Sequence, residues 1–275
     1  MPKTKFEAGR YWEERLESSF DLTGVGFRRR SEAYNRWVYR HRTEFLNRLV
    51  SRNDWCIDKM AVLDIGCGTG YFIDHWIRRG AEPVWGLDVA EVSIERLWER
   101  FPQAEFRLAD LSDPALVVER QFDFVSIFDV LYHIVDDARF EQAIKNLARL
   151  CRPGCRVIVT DMFGERTAET VKHVRNRSRQ EYEQVFSAAG FLMESVEPLF
   201  FTLMPPAGIA NVLGYWAGML TWEAVTFVAR FNGPGDLLGR LLYRIDNSLS
   251  RKFASGPSHH LAVFRFEGET ADTKT

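Results

Sequence analysis

The chain has 275 residues, enough for one large domain with additions, and its 46% hydrophobic and 27% charged residues are typical of a globular protein. The formal net charge of −2 implies no general electrostatic attraction to nucleic acid or to anionic membranes. The four cysteines lack metal-ligand spacing and the amino terminus lacks an apolar segment, so we expect reduced thiols, no metal site and a cytoplasmic protein.

The predicted elements begin with helices. Apolar residues recur at helical spacing as far as about residue 52, and Ser31 is placed to cap the second helix. From about residue 60 to residue 161, apolar runs of strand length alternate with amphipathic helical stretches. This alternation predicts a parallel sheet with helices on both faces.

The last third of the chain is predicted to mix both kinds of element. Ser178 and Glu181 fit a capping box at the start of a helix, and Gly190 is placed to end it. A strand follows, then an apolar, mostly helical segment over 204–252 with a break at 233–235, and a last strand.

One stretch is long enough to cross a bilayer, because no charged residue lies between Glu197 and Glu223. Pro205 and Pro206 interrupt it, so a strand, a break and an apolar helix are a better interpretation. No integral membrane span is expected.

The stretch AVLDIGCGTG contains three glycines where a strand ends and a helix begins. Gly66, Gly68 and Gly70 allow a sharp turn and a close approach of the backbone to a ligand. The N–H groups of the following helix favour an anionic group.

Acidic residues follow the ends of three predicted strands. Asp64 precedes the glycines, Asp88 ends the second strand, and Asp110 follows the third. Because ligands of open α/β sheets bind at the carboxyl ends of the strands, Asp88 is placed to accept both hydroxyls of a ribose.

Five segments in order now identify a resemblance over 60–161: VLDIGCGTG, GLDV, LADL, FDFVSIFDVLYHI and LARLCRPGCRVIVTD. They are similar to the motifs of the class I S-adenosylmethionine-dependent methyltransferases. The resemblance implies a doubly wound, Rossmann-like sheet of seven strands, mostly parallel, with the last strand antiparallel. N-terminal helices and a helical insertion before the last strand are additions to that fold.

The resemblance also implies a set of residues that bind S-adenosylmethionine. The glycine turn faces the methionine part, Asp88 holds the ribose, and the other members frame the adenine, adjoin the methionine end or close over the cofactor. The full set is Tyr11, Trp12, Asp64, Gly66, Cys67, Gly68, Gly70, Asp88, Val89, Asp110, Leu111, Phe128 and Asp129.

Two residues are candidate general bases for an in-line methyl transfer. His133 lies just past the fourth strand and titrates near neutral pH in its ordinary state. Asp161 ends the fifth strand and is expected at the same rim. The alternatives are a packing role for His133 and a loop or capping role for Asp161.

Acceptor contacts are expected from Tyr132, Arg40 and Trp216. Aromatic residues of the insertion form either an apolar wall for the acceptor or simple packing. The basic residues around Arg40, and a second basic group over 173–179 in an expected mobile loop, are either solvated or clamps for an anionic acceptor. Neither group is interleaved with aromatic residues, so no nucleic-acid partner is expected.

The expected domain organisation has five parts. They are an N-terminal helical cap (1–52), the cofactor-binding core (53–200), a helical insertion that is an acceptor cap or a homodimer surface (201–255), the final core strand (256–267) and a flexible tail (268–275).

The sequence therefore predicts a methyltransferase that uses S-adenosylmethionine on a small-molecule, hydrophobic or natural-product acceptor, at oxygen or nitrogen in preference to sulfur or carbon. Three alternatives stay open at this point. They are a membrane-associated methyltransferase of a lipid-like acceptor, a non-catalytic cofactor-binding regulator and an NAD-dependent oxidoreductase.

Overall fold

The computed structural model describes residues 7–117, 120–165, 167–171, 173–208 and 212–268. The chain divides into two compact units. Unit 1 contains the residues up to 17, 57–195 and those from 262 onward, and unit 2 contains 18–56 and 196–261.

The strands, in chain order, are β1 (Val62–Ile65), β2 (Val84–Asp88), β3 (Glu105–Leu108), β4 (Phe122–Phe128), β5 (Cys151–Asp161), β6 (Ala168–Val171), β7 (Val174–Asn176), β8 (Phe191–Pro198) and β9 (His260–Phe266). The α-helices are α1 (Ala8–Ser18), α2 (Leu22–Val25), α3 (Glu32–Arg52), α4 (Tyr71–Arg78), α5 (Glu91–Arg100), α6 (Asp137–Leu150), α7 (Arg179–Ala188), α8 (Val212–Thr226) and α9 (Asn232–Leu249). Short 3-10 helices cover Leu131–His133 and Phe227–Arg230.

Seven strands form one mixed sheet in the order β3-β2-β1-β4-β5-β9-β8, as the family resemblance implies. The pairings of β1 to β5 are parallel, and their register aligns Ile65 with Leu87 and with Ile127, so the carboxyl ends of these strands share one edge. β9 is antiparallel to β8, as two backbone hydrogen bonds show: one joins residues 190 and 267, and the other joins residues 199 and 259. The central strands are buried on both faces, which accounts for their continuous apolar sequences.

Capping side chains start the helices where the sequence predicts. Ser31 accepts a hydrogen bond from the Tyr34 N–H at the start of α3, and Ser178 accepts from the Glu181 N–H at 3.2 Å at the start of α7. The Glu181 carboxylate reaches the Ser178 N–H through Thr167 instead of bonding to it directly, as a capping box would. It accepts from the Thr167 hydroxyl, whose oxygen accepts from the Ser178 N–H.

Two predicted features differ from the structure. The expected mobile loop around 173–179 contains β7, which pairs with β6 as an antiparallel hairpin. Arg177 is fully buried. Its ion pair with Asp137 at 2.8 Å and its contact with the ring of Phe140 offset part of the free-energy cost of burying the charge. The glycines at 233–235 lie in the first turn of α9, and the break falls at the preceding 3-10 helix instead.

The division into units also differs from the expected domains. α1 groups with the sheet, whereas 18–56 and 196–261 form one unit instead of a cap and a separate insertion. Within unit 2, the Tyr34 hydroxyl donates to the Leu203 carbonyl at 2.8 Å, and Asp246 accepts from the backbone of 201–203. The predicted tail, apart from Gly268, lies outside the described residues. Within the described residues, no helix combines the length and apolarity that crossing a bilayer demands.

Candidate active site

The glycine turn joins β1 to α4 in a conformation that suits glycine. Gly66, Gly68 and Gly70 have φ values of +73°, +52° and +78°. A Cβ atom on Gly66 would lie 2.3 Å from Cγ2 of Val130, and one on Gly70 would lie 2.5 Å from Cδ2 of Leu97. The turn therefore needs glycine both for its backbone angles and for its close packing.

Asp88 holds this turn from the neighbouring strand. Its two carboxylate oxygens accept one N–H each, from Gly68 at 2.7 Å and from Ala90 at 3.0 Å. Burial raises the pKa of Asp88, and these N–H groups act against that rise. The carboxylate thus lies at the aligned edge of the sheet, as predicted.

Asp64 is buried beneath the turn. Its carboxylate accepts from the Ser126 hydroxyl at 2.6 Å, and Ser126 accepts from the indole N–H of Trp76 at 3.0 Å. Burial, partly offset by the Ser126 bond, raises the pKa of Asp64 to about 7, and the charge of Asp88 adds to the rise. Asp64 therefore links β1 to β4 beneath the turn through Ser126.

Cys67 and Val89, two predicted cofactor-binding residues, have no reactive side chain at the site. Cys67 is buried, burial raises the pKa of its thiol well above the ordinary value, and its sulfur lies where a Cβ on Gly86 would approach to 2.9 Å. Val89 is half-buried directly after Asp88. The Cys67 thiol thus packs against β2.

Asp110 and Leu111, which are predicted to frame the adenine, are held in place by an ion pair and hydrogen bonds. Asp110 accepts from the Ser112 N–H at 2.8 Å and forms an ion pair with Arg139, which also donates to the Ser112 hydroxyl at 3.0 Å. Leu111 is buried, and its carbonyl accepts from Asn146 at 2.8 Å. The loop after β3 is therefore held in one conformation.

The end of β4 carries the other two predicted residues. The ring of Phe128 stacks on that of Phe72 at 3.9 Å. Asp129 has a φ of +59°, which is uncommon for a residue with a side chain, and Thr160 stabilises it by bonding to both its N–H and its carboxylate. A strained residue held by its neighbours is typical of a functional site.

Helix α1 is fixed over the end of β2 by Glu13. The Glu13 carboxylate accepts from the N–H groups of Glu91 at 2.6 Å and of Val92 at 3.1 Å. Ala90, the N-cap residue of α5, supplies no side-chain bond, so Glu13 satisfies these N–H groups from another helix.

An aromatic cluster forms where α1 meets the end of β4 and the β6–β7 hairpin. The ring of Trp12 packs edge-on against His133 at 5.2 Å, and Tyr11 stacks on His173 at the same distance. His133 also adjoins Tyr132 at 4.4 Å and His173 at 5.7 Å between ring centroids. Four predicted site residues thus come together with His173, which the sequence placed only in the basic group over 173–179.

The imidazole of His133 is anchored by the hairpin backbone. Its Nδ1 lies 2.7 Å from the His173 carbonyl oxygen, so Nδ1 carries the proton and Nε2 is left as an acceptor. Burial lowers the pKa of His133 to about 4. The ring is therefore neutral at physiological pH.

Asp161 occupies a different environment. It is fully buried, and its carboxylate accepts from the Tyr182 hydroxyl and from the Met162 N–H at 2.6 Å. Burial raises the pKa of Asp161 to about 7. Because the carboxyl group has no exposed surface and bonds to protein groups at both oxygens, this geometry favours a packing role, and a base role for Asp161 stays a prediction.

The remaining predicted acceptor residues belong to unit 2. Arg40 pairs with Glu44 at 3.2 Å and lies over the ring of Trp37, and Trp216 is exposed on α8. Their acceptor role stays a prediction.

Sequence reasoning missed Glu13 and Arg139, which position other residues of the site, and it expected His173 only as a member of the basic group over 173–179. Only the acidic pattern of α1 hinted at Glu13, and nothing in the chain order indicates that residues 13 and 91 meet.

The residues present fit S-adenosylmethionine. The Asp88 carboxylate has about four acceptor positions, more than its bonds to the N–H groups of Gly68, Val89 and Ala90 use, so it can still accept from a ribose hydroxyl. The turn beside it bears no side chain at 66, 68 and 70, so a ligand can lie against the backbone.

Comparison with known proteins agrees with this fit. Residues 62–154 match the family described as a methyltransferase domain. The chain is 30% identical over 191 residues to a probable S-adenosylmethionine-dependent methyltransferase of Mycolicibacterium smegmatis, covering 67% of this chain and 70% of that protein. It is also 30% identical over 155 residues to a ubiquinone biosynthesis O-methyltransferase of Aeromonas salmonicida, covering 53% of this chain and 58% of that protein.

The fold is similar to that of a solved structure from Burkholderia thailandensis, a 1,6-didemethyltoxoflavin-N1-methyltransferase with S-adenosylhomocysteine bound. The TM-score is 0.52 at 16% identity, over 97% of this chain and 93% of that one. Other curated relatives include a tRNA U34 carboxymethyltransferase and an mRNA cap guanine-N(7) methyltransferase, and the chain spans less than half of each.

Proposed function

Because the chain belongs to the S-adenosylmethionine-dependent methyltransferases, we propose that it methylates an oxygen or nitrogen atom of a small-molecule acceptor. The enzyme class and the cofactor follow from the family, and an NAD-dependent oxidoreductase is no longer an alternative. The acceptor is the proposed part.

The observation that carries the proposal is the aromatic cluster around His133. Trp12 and Tyr132 contact the neutral imidazole of His133 at the carboxyl edge of the sheet, and Tyr11 extends the cluster through His173. Such surroundings suit an apolar or aromatic molecule.

The charge of unit 1 opposes a nucleic-acid substrate. Unit 1 contains 23 Lys and Arg residues against 30 Asp and Glu residues, a formal net charge of −7. Because nucleic-acid affinity depends on neutralising phosphates, a unit with this charge is better suited to a small acceptor.

When bound, S-adenosylmethionine supplies a methyl group that its positive sulfur makes electrophilic. The protein has to orient the acceptor and exclude water. Asp88 and the glycine turn would hold the cofactor, while Glu13 fixes α1 so that Tyr11 and Trp12 shield the site.

His133 would remove the acceptor proton. The Nδ1–H bonds to the His173 carbonyl, so Nε2 is the ring nitrogen that would accept this proton. A pKa of about 4 makes this a weak base, so the proton would move only as the new bond to carbon raises the acidity of the acceptor. An amine acceptor would depend less on His133 than a hydroxyl acceptor.

The proposal is tested with the purified enzyme, methyl-labelled S-adenosylmethionine and a panel of phenols, alcohols, amines, thiols, long-chain lipids and total RNA. We expect label in an oxygen or nitrogen acceptor of low molecular mass, and none with the Asp88→Ala variant. Label only in RNA or only in a thiol would contradict the proposal. Label in a long-chain lipid would favour the lipid-like alternative.

A further inference from the structure

Helix α8 is held to unit 2 by few of its residues. Among the α8 side chains that the structure describes, only Trp222 and Thr226 are buried. Trp222 donates its indole N–H to the Thr202 carbonyl at 3.0 Å, and Thr226 accepts from the buried Arg30 at 2.7 Å. The other described side chains of α8 are exposed or half-buried. Because the helix contains a single charged residue, Glu223, the surface that it presents to solvent is mostly apolar.

The exposed apolar residues of α8 follow one side of the helix. Leu213, Trp216 and Leu220 are 82%, 59% and 68% exposed, and their spacing of three and four residues places them on one face. We call these three residues the outer stripe of α8. Phe227 and Phe231, just beyond the helix, are 52% and 61% exposed. A contiguous apolar stripe of this kind marks an interaction surface.

The charge of unit 2 indicates what covers this stripe. The unit contains 13 Lys and Arg residues against 8 Asp and Glu residues, a formal net charge of +5 in a chain whose net charge is −2. Ten of the basic residues are exposed, among them Arg28, Arg29, Arg230, Arg251 and Lys252. The guanidinium of Arg230 lies 4.5 Å from the ring of Phe227, so a positive charge adjoins the exposed aromatic residues that follow the stripe.

A second copy of the chain fits this surface poorly. A two-fold interface brings the same patch of both copies together, and it would bring two units of +5 into contact. An anionic membrane surface attracts the same arginine and lysine residues and accepts the leucine and tryptophan side chains below its headgroups.

We propose that the outer stripe of α8 binds the surface of a membrane that contains anionic lipids. The 15 residues of α8 span about 22 Å, less than the roughly 30 Å of a hydrocarbon core, so the helix lies along the interface. Arg230, beside the exposed Phe227, reaches the lipid phosphates next to the stripe, and Arg251 and Lys252 add exposed positive charge to the same unit. The proposal concerns attachment and does not depend on which acceptor the enzyme methylates.

The test is flotation of the purified full chain with vesicles of phosphatidylcholine alone or with about 30% phosphatidylglycerol. We expect binding to the anionic vesicles at least about tenfold stronger than to the neutral ones, weakening as NaCl rises from about 0.1 to 0.5 M. Leu213→Glu with Leu220→Glu should reduce binding about tenfold or more, and Arg251→Glu with Lys252→Glu should remove the preference for anionic lipid.

A matched control is Leu192→Glu, which changes a 49% exposed leucine of unit 1 and should leave binding unchanged. Circular dichroism and S-adenosylhomocysteine binding show that each variant is folded. Absence of flotation, equal binding to both vesicle types, or equal loss with Leu192→Glu would overturn the proposal. So would a solution dimer that only the α8 variant dissociates.

Discussion

The Asp88 carboxylate accepts a hydrogen bond from the Gly68 N–H at 2.7 Å, so the end of β2 fixes the turn that follows β1. Two motifs that are separate in the sequence thus form one structural unit. The acid that is proposed to hold the ribose also sets the shape of the turn beside it.

Gly70→Ala should destabilise unit 1 by about 2–5 kcal/mol. A left-handed φ of +78° costs alanine about 1–2 kcal/mol, and the new Cβ would lie 2.5 Å from Leu97 and 2.7 Å from Phe101, which adds an overpacking cost of about 1–3 kcal/mol. Gly154→Ala is the matched control, because its φ is +84° but no atom lies within 4 Å. Denaturant unfolding measures both, and equal losses would show that packing at Gly70 is unimportant.

Glu13→Ala should release α1 from the N-terminus of α5. Two N–H groups lose their acceptor, which we expect to cost about 0.5–2 kcal/mol and to raise the KM for S-adenosylmethionine. Glu14→Ala removes only an exposed pair with Arg10 at 2.9 Å and should change neither quantity much. Hydrogen exchange of α1 gives the direct readout, and unchanged exchange in Glu13→Ala would refute the anchoring role.

His133→Ala should lower kcat at least about tenfold while the dissociation constant of S-adenosylhomocysteine changes less than about threefold. The reason is that Nε2 of His133 is proposed to take the acceptor proton, whereas Asp88 is proposed to hold the ribose. His173→Ala keeps the backbone carbonyl that anchors His133 and should lower kcat much less. Unaltered turnover in His133→Ala would remove this residue from the mechanism.

His41 should make unit 2 sensitive to acid. Burial lowers the pKa of His41 from 6.5 to about 4, and protonation would place an N–H at the buried Nδ1, which has no hydrogen-bond partner in the described residues. Between these pKa values the unfolded chain binds more protons than the folded one, so stability falls as the pH drops through this window.

Protonation of His41 should lower the free energy of unfolding by about 2 kcal/mol between pH 7 and pH 5. His41→Gln keeps a donor for the Leu199 carbonyl and lacks the titration, so its stability should fall less over the same interval. Denaturant unfolding at both pH values measures the difference, and parallel losses in both proteins would contradict the assignment.

Local patterns in the sequence predicted the parts of the fold that local interactions determine. The strand ends near Asp64, Asp88 and Asp110, and the caps at Ser31 and Ser178, follow from short-range apolar periodicity and side-chain bonds. The order of the five motifs was enough to place β1 to β5, and the family resemblance implied the rest of the sheet.

Contacts between distant residues were not predictable in this way. Glu13 meets Glu91 and the His173 carbonyl meets His133 only because the fold brings α1 and a hairpin to the sheet edge. The burial of Asp161 likewise depends on Tyr182, which lies on a helix formed later in the chain.

Calorimetric titration of Asp88→Ala with S-adenosylhomocysteine tests the central claim most directly. We expect affinity to fall roughly 100-fold or more, since two hydrogen bonds to a charged group contribute about 1.5–3 kcal/mol each. Asp113→Ala is the matched control, because Asp113 also accepts from the N–H two residues ahead, at 2.9 Å, but lies outside the proposed site. Wild-type affinity in a folded Asp88→Ala protein would contradict the account.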